Sequence, residues 1–237
     1  MTESRKVSPA DLDRIGQAAA AIVKHGDRVG LGSGRAALAF VRALGKRVAD
    51  EKLDVLGVAT SLLTEKVARD LGIPLATLDQ VAFIDLAVDG ADEVDPYLNL
   101  LKGGGGNLTR EKVVASIAKR FVIVVGEEKI VPKLGTHFPV FVEVIEFARP
   151  VVARKLASMG GAVTQRMNPD GTPFLTDNAN PYLQCTFSKH TDRTLHDPAA
   201  LEQILRALPG VVETGLFIAM ADEILVAKFD GSIERMG

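Results

Sequence analysis

Residues 85–95 read Asp-Leu-Ala-Val-Asp-Gly-Ala-Asp-Glu-Val-Asp, and residues 101–112 read Leu-Lys-Gly-Gly-Gly-Gly-Asn-Leu-Thr-Arg-Glu-Lys. The run at 83–88 is apolar except for one aspartate, which predicts a buried strand of a parallel sheet. Asp89-Gly90 then predicts a turn at the carboxyl end of that strand, where open α/β sheets bind their ligands. Together the two runs predict an α/β fold whose ligand crevice carries several carboxylates.

Residues 103–106 are four consecutive glycines that precede a predicted helix at 109–119. Because these glycines have no Cβ atoms, a small anionic ligand can lie against their backbone N–H groups. Lys102 adds a positive charge beside the loop, and Glu111 places a carboxylate in the first turn of the helix. Such groups can take a proton from a carbon next to a carbonyl and stabilise the resulting enediolate. An Asp-Gly turn or a helix-opening glutamate alone is a common structural feature, so the combination is what indicates function.

The composition limits the class of protein. The chain has 237 residues, of which 47% are apolar, enough for one large domain or two small ones. A formal net charge of −2 gives no reason to expect binding to nucleic acid or to a membrane. The single cysteine, Cys185, excludes an intrachain disulfide and is typical of a reducing compartment. Residues 1–25 do not resemble a signal peptide, so we predict a cytoplasmic protein.

A glycine elbow at residues 32–37 follows a predicted strand at 28–31 and opens a helix. This arrangement can seat a phosphate, because a helix N-terminus offers backbone N–H groups and partial positive charge. The elbow also fits the loose dinucleotide fingerprint, but the next strand ends in Thr60-Ser61 and not in the acid that would bind a ribose. Simple packing of helix on strand is the structural alternative, and for Ser61 we predict helix capping. The predicted phosphate-binding residues are Ser33, Gly34, Arg35 and Ala36.

The second half of the chain has a different order of predicted strands and helices. After a predicted strand at 121–125, the segment from residue 139 alternates strand, helix, strand, strand, helix and strand, the last of them at 211–217. That order is typical of a ferredoxin-like, split βαβ unit. We therefore predict a Rossmann-like, mostly parallel sheet with helices on both faces, formed by residues 1–134 and 218–237. A smaller ferredoxin-like α+β domain is predicted at 135–217.

Three motifs, in this order, resemble the signature of the type A ribose-5-phosphate isomerases: Asp-Gly-Ala-Asp-Glu at 89–93, Lys-Gly-Gly-Gly-Gly at 102–106 and Leu-Thr-Arg-Glu-Lys at 108–112. The similarity covers nearly the whole chain, which makes it specific. It implies an aldose–ketose isomerase that interconverts D-ribose 5-phosphate and D-ribulose 5-phosphate through an enediolate, in the non-oxidative pentose phosphate pathway. It further implies a homodimer or homotetramer that uses no metal and no cofactor.

The resemblance also implies roles for single residues. Glu111 is the expected base that moves a proton between C2 and C1 of the sugar. Asp89, with Asp92, is expected to handle hydroxyl protons, while Lys102 and the glycine amides stabilise the enediolate. The predicted catalytic residues are Glu111, Asp89, Asp92 and Lys102. The predicted substrate-binding residues are Ser33, Gly34, Arg35, Ala36, Asp89, Gly90, Ala91, Asp92, Lys102, Gly103, Gly104, Gly105 and Lys129.

This sequence departs from the family pattern at the phosphate site. The family usually has Thr-Gly-Ser-Thr where this chain has Ser33-Gly34-Arg35-Ala36, and a lysine of its first helix corresponds to Leu12. Our hypothesis is that Arg35 supplies the missing charge, since a guanidinium can bind a phosphate through two hydrogen bonds.

Two other functions remain open at this point. One is a non-catalytic sugar-phosphate sensor, which would need a separate DNA-binding partner because the chain carries no helix-turn-helix and no basic excess. The other is a CoA transferase in which Glu111 is the acyl nucleophile. The four histidines lack metal-ligand spacing and receive no role: His25, His137, His190 and His196.

Overall fold

The computed structural model describes residues 6–187 and 197–237, so His190 and His196 lie outside the described residues. The chain divides into two compact units. The first comprises Met1–Ala91, Arg110–Ile130 and Met220–Gly237, and the second comprises Asp92–Thr109 and Val131–Ala219. Compared with the predicted domains, residues 92–109, 131–134 and 218–219 lie in the second unit. The domain boundaries drawn from the order of sequence patterns stay a prediction.

The described residues form six α-helices, thirteen strands and two short 3-10 helices. The α-helices are Pro9–Ala20 (α1), Gly34–Glu51 (α2), Leu62–Asp70 (α3), Leu108–Ser116 (α4), Arg149–Ser158 (α5) and Pro198–Arg206 (α6). The strands are Asp27–Leu31 (β1), Val55–Ala59 (β2), Leu86–Asp89 (β3), Glu93–Val94 (β4), Leu100–Leu101 (β5), Phe121–Gly126 (β6), Val140–Val144 (β7), Gly161–Gln165 (β8), Tyr182–Phe187 (β9), Val211–Thr214 (β10), Leu216–Phe217 (β11), Glu223–Ala227 (β12) and Ile233–Met236 (β13). The 3-10 helices are Glu127–Lys129 and Glu146–Ala148.

A six-stranded sheet in the order β13-β12-β6-β3-β1-β2 forms the centre of the first unit. All of its pairs are parallel except that of β12 with β13. Every residue of β3 and β6 is buried, as expected for parallel strands that are covered on both faces. The predicted Rossmann-like sheet is therefore confirmed.

Strand β1 shows that helices cover both faces of this sheet. Val29 and Leu31 pack in one apolar cluster with Ile15 of α1 and with residues of α2. Gly30, which points to the other face because side chains alternate along a strand, lies against α4. A Cβ on Gly30 would lie 2.7 Å from the Val114 Cγ1 atom, so only glycine lets α4 approach this closely. The close approach places α4 directly on the sheet.

The second unit contains a four-stranded antiparallel sheet in the order β10-β7-β9-β8, with α5 and α6 in the connections. This is the strand order of a split βαβ unit, and the predicted ferredoxin-like domain is confirmed. Cys185 lies within its apolar core, and burial raises the pKa of the thiol to about 12. A thiol in this state packs as a small apolar group and is a poor nucleophile.

The single strand predicted at 211–217 is wrong, because two strands that belong to different sheets occupy this segment. β10 pairs with β7, whereas β11 pairs with β5 in a three-stranded sheet completed by β4. Gly215 separates the two strands, and its N–H donates to the Phe141 carbonyl at 2.8 Å. Its own carbonyl accepts from the Lys102 N–H at 2.8 Å, and a Cβ here would lie 2.1 Å from the Lys102 carbonyl oxygen. Glycine therefore lets the chain cross from one sheet to the other.

In the part of the chain that the structure describes, no helix combines the length and the apolar character that crossing a bilayer requires.

Candidate active site

Asp89 ends β3 at the carboxyl edge of the parallel sheet, as the sequence predicted. Its side chain is buried, and Oδ1 accepts hydrogen bonds from the N–H groups of Ser33 at 2.9 Å and Gly90 at 2.7 Å. Both donors lie in turns that follow parallel strands. The carboxylate thereby fixes the elbow between β1 and α2, which is the predicted phosphate loop.

Gly32 is the point at which this elbow touches the carboxylate. A Cβ on Gly32 would lie 2.4 Å from Cγ and Oδ1 of Asp89, which is closer than real Cβ contacts. We expect Gly32→Ala to displace Asp89 and to destabilise the protein by about 1–3 kcal/mol, the usual cost of overpacking. Activity should fall with it. Differential scanning fluorimetry measures the stability change, as a drop in melting temperature of roughly 2–4 °C per kcal/mol.

Gly90→Ala is the matched control, because a Cβ there would meet the nearest atoms at an ordinary 3.7 Å. Equal melting temperatures for the two variants would contradict the argument.

Buried hydroxyl groups form hydrogen bonds with the elbow. The Ser33 and Thr60 hydroxyls share a hydrogen bond of 2.7 Å, and Thr64 Oγ1 donates to the Gly32 carbonyl at 3.0 Å. Ser61 Oγ accepts from the Thr64 N–H, so its predicted capping role is confirmed. Since the Ser33 hydroxyl points into this network, the exposed part of the elbow comes from the residues that follow it. Gly34 and Arg35 are exposed and Ala36 is half-buried.

Glu111 lies on α4 and is buried. It lines a narrow cavity, too small to admit a water molecule in this structure, together with Asp89, Gly32 and Thr60. The space is far below the size of a sugar-phosphate pocket, and what it shows is that Glu111 and Asp89 border the same gap between α4 and the sheet. Two carboxylates at one small cavity are suited to moving protons at adjacent atoms of a ligand.

Lys102 belongs to the second unit, where it follows β5 and is buried. Its ammonium nitrogen lies 5.5 Å from the centroid of the Phe217 ring, a cation–π distance. The backbone bond to Gly215 fixes the position from which this side chain extends.

The glycine loop at 103–106 has backbone angles that require glycine at two positions, with φ of 124° at Gly103 and 87° at Gly106. The loop is held by three side chains of the second unit. Tyr182 Oη donates to the Gly103 carbonyl at 2.7 Å, Arg166 Nη1 donates to the Gly104 carbonyl at 2.9 Å, and Asp92 accepts from the Gly104 N–H at 2.7 Å. One of the amides predicted to bind the substrate thus donates to Asp92.

The remaining predicted site residues lie at the ends of strands in the first unit. Gly90 and Ala91 follow β3 and are half-buried. Lys129, also half-buried, ends the 3-10 helix that follows β6, so it lies at the carboxyl edge of the same sheet as Asp89.

Three other acids of the 85–95 stretch have structural roles. Glu93 accepts from four backbone N–H groups between residues 135 and 138. Asp95 accepts from the N–H groups of Tyr97 and Asn99 at 2.9 Å. Asp85 is partly desolvated, which raises its pKa, but Lys119 and the backbone and charge of Arg28 outweigh this and bring the pKa below its ordinary value. Within residues 6–187 and 197–237, no group of three potential ligands lies close enough to hold a metal ion.

Sequence reasoning left out several residues of this site. Thr60 lines the cavity of Glu111 and Asp89, and the signal was present, since it is a polar residue directly after a strand. Arg166, which follows β8, and Tyr182, which begins β9, hold the glycine loop, and no local motif marks them.

Two buried carboxylates that border one gap at a parallel sheet define a class of α/β protein suited to acid–base chemistry on a small ligand. Residues 56–231 match the family described as ribose 5-phosphate isomerase A (phosphoriboisomerase A). The chain belongs to this family, and the resemblance seen in the sequence is confirmed.

The chain is similar to relatives and to solved structures over nearly its full length. The chain is 46% identical over 213 residues to ribose-5-phosphate isomerase A of Roseiflexus sp. (strain RS-1), covering 90% of this chain and 89% of the relative. Ribose-5-phosphate isomerase A of Haloarcula marismortui is 47% identical over 230 residues, 96% of each chain. The solved structure of ribose 5-phosphate isomerase A from Methanocaldococcus jannaschii is 40% identical and superposes with a TM-score of 0.89, covering 97% of this chain and 99% of that one. A D-ribose-5-phosphate isomerase in complex with phospho-erythronic acid is 35% identical, with the same TM-score and coverage.

Proposed function

We infer that this protein is a ribose-5-phosphate isomerase, an aldose–ketose isomerase that interconverts D-ribose 5-phosphate and D-ribulose 5-phosphate. The inference follows from membership of the family over most of the chain. The structural observation that best supports it is the cavity shared by Glu111 and Asp89, since the reaction moves one proton between carbons and another between oxygens.

We propose the following catalytic roles for the residues of the site. In the open-chain aldose, Glu111 removes the proton from C2, and the electron pair moves to form the C1–C2 double bond of an enediolate. Glu111 then returns the proton to C1, while a proton moves from O2 to O1 and leaves the ketone at C2. Asp89, with Asp92, carries the hydroxyl protons, and Lys102 with the glycine-loop amides stabilises the negative oxygen.

The phosphate group of the substrate is the proposed ligand of the elbow at Ser33, Gly34, Arg35 and Ala36. Two features support a role for Arg35: it is exposed in the first turn of α2, and Leu12 packs against the core of the first unit and offers no charge. Gly90, Ala91, Gly103, Gly104, Gly105 and Lys129 complete the proposed substrate contacts.

We expect Arg35→Ala to raise KM for ribose 5-phosphate by about 10-fold with little change in kcat, because a charge-assisted phosphate contact acts on the ground state and the transition state alike. Steady-state kinetics measures the effect. Arg42→Ala, on an exposed turn of the same helix, is the control and should keep the wild-type KM. An unchanged KM for Arg35→Ala would remove Arg35 from the phosphate site.

The two alternative functions are not favoured by the family. A sensor would bind the sugar phosphate without converting it, and a CoA transferase would form a covalent glutamyl adduct with an acyl-CoA. Purified protein should convert ribose 5-phosphate into ribulose 5-phosphate in the presence of EDTA, as measured by a coupled assay. Binding without conversion would refute the isomerase.

We also propose that the protein forms a homodimer or homotetramer and acts in the cytoplasm. The support is the resemblance to the family for the oligomer and the single cysteine for the compartment. Light scattering after gel filtration measures the oligomeric state.

A further inference from the structure

Among the described residues, side chains form hydrogen bonds with both ends of one peptide of the glycine loop and with one end of the next. The carbonyl of Gly103 accepts from Tyr182, and the N–H of Gly104 donates to Asp92. In the following peptide, the carbonyl of Gly104 accepts from Arg166 Nη1 at 2.9 Å. Each partner therefore sets the direction of one peptide group.

The N–H of Gly105 is the group whose direction Arg166 determines. The peptide is trans and planar, so its N–H points opposite to its carbonyl and away from the guanidinium. Gly105 is exposed, and a Cβ on it would meet only Asn107 Nδ2, at 3.5 Å. A ligand oxygen can therefore reach this backbone segment.

We propose that Arg166 is a positioning residue of the isomerase: it orients the Gly104–Gly105 peptide so that the Gly105 N–H donates to the developing enediolate oxygen. The inference rests on the proposed function. The guanidinium also places positive charge on the carbonyl end of the peptide, which polarises the amide and strengthens its N–H as a donor.

Arginine suits this position because its guanidinium also lies close to two aromatic rings. Its guanidinium carbon lies 4.1 Å from the centroid of the Phe174 ring and 5.9 Å from that of Tyr182. Phe174 also packs against the loop, since a Cβ on Gly106 would lie 2.4 Å from its Cζ atom. Lysine would keep the charge but lose the flat stacking surface and the fixed direction of the donor.

The test compares Arg166→Met and Arg166→Lys with Arg154→Met, a control on an exposed position of α5. We expect Arg166→Met to lower kcat by about 10- to 100-fold with KM changed less than about 3-fold, because an oxyanion donor acts mainly in the transition state. Arg166→Lys should recover part of the loss, and Arg154→Met should match the wild type. Melting temperatures show whether each variant is folded.

Phospho-erythronate serves as the probe that is independent of turnover. Its carboxylate holds two oxygens and a negative charge in one plane, as the enediolate does, so its affinity measured by calorimetry should fall in Arg166→Met by about the same factor as kcat. Tyr182→Phe, which frees the other carbonyl, should reduce that affinity less.

Three results would overturn the inference: an unchanged kcat in folded Arg166→Met, a reduced kcat with unchanged phospho-erythronate affinity, or equal losses of affinity in Arg166→Met and Tyr182→Phe. If Arg166→Met does not fold, the same comparisons apply to Arg166→Lys. Wild-type protein that fails to convert ribose 5-phosphate would refute the proposed function separately, and the calorimetric comparison would still decide the role of Arg166.

Discussion

Replacing Glu111 by glutamine is expected to lower kcat for ribose 5-phosphate by about 10²–10⁴-fold, the usual contribution of a general base. Glutamine has nearly the same shape, but its amide cannot accept the C2 proton. Glu111 is buried beside Asp89, so the neutral side chain should keep the packing of α4 and the melting temperature close to that of the wild type. Steady-state kinetics and scanning fluorimetry measure the two quantities.

A second readout isolates the proton-transfer step. In D₂O the wild-type enzyme should exchange the C2 hydrogen of the substrate, as followed by NMR, and the glutamine variant should lose exchange and turnover together. Glu65→Gln is the matched control, since Glu65 also lies in the first turn of a helix but is 43% exposed and pairs with Arg69. Near-normal turnover in Glu111→Gln would refute the assignment of the base.

The largest effect on stability is expected at Glu93. This side chain is fully buried, and its two oxygens accept from the backbone N–H groups of Gly135, Thr136, His137 and Phe138. Glu93→Ala leaves these N–H groups without their acceptor, and each donor that water does not reach costs about 1–3 kcal/mol when unsatisfied. Because such losses are not additive, we expect a total of about 3–5 kcal/mol, which is large for a single substitution and typical of breaking a buried hydrogen-bond network.

Urea unfolding measures this loss, and the slope should stay that of the wild type if the unfolded state is unchanged. Glu146→Ala provides the comparison in the same unit, because Glu146 is 66% exposed and its ion pair with Arg149 is solvated. That variant should stay within about 0.5 kcal/mol of the wild type. A similar small change for Glu93→Ala would show that solvent replaces the lost acceptor.

Local patterns were sufficient to predict most of the architecture. β6 is a run of buried residues that ends at a glycine, and it was recognisable as a buried strand. The short sheet of β4, β5 and β11 was missed because strands of two residues have no periodicity. Pairings between distant residues, such as Leu216 with Leu101, are what form it.

In the candidate site, too, contacts between distant residues could not be predicted. Asp89 and Glu111 carry motif signals, and the structure brings them to one cavity. Arg166 lies in no such motif. Its contact with Gly104 depends on the pairing of β8 with β9 and on the position of the glycine loop, and neither can be seen in the local sequence. Sequence reasoning therefore identified the residues that lie in the motifs but not Arg166 and Tyr182, which hold the glycine loop from distant parts of the chain.

The position of β12 in the sheet has a consequence for synthesis on the ribosome. β6 pairs with β12, yet the segment 131–219 of the second unit lies between them in the chain. While that segment is being translated, one edge of β6 lacks its neighbouring strand and can pair with other nascent chains. The central sheet can therefore close only late in synthesis, after β12 has been translated.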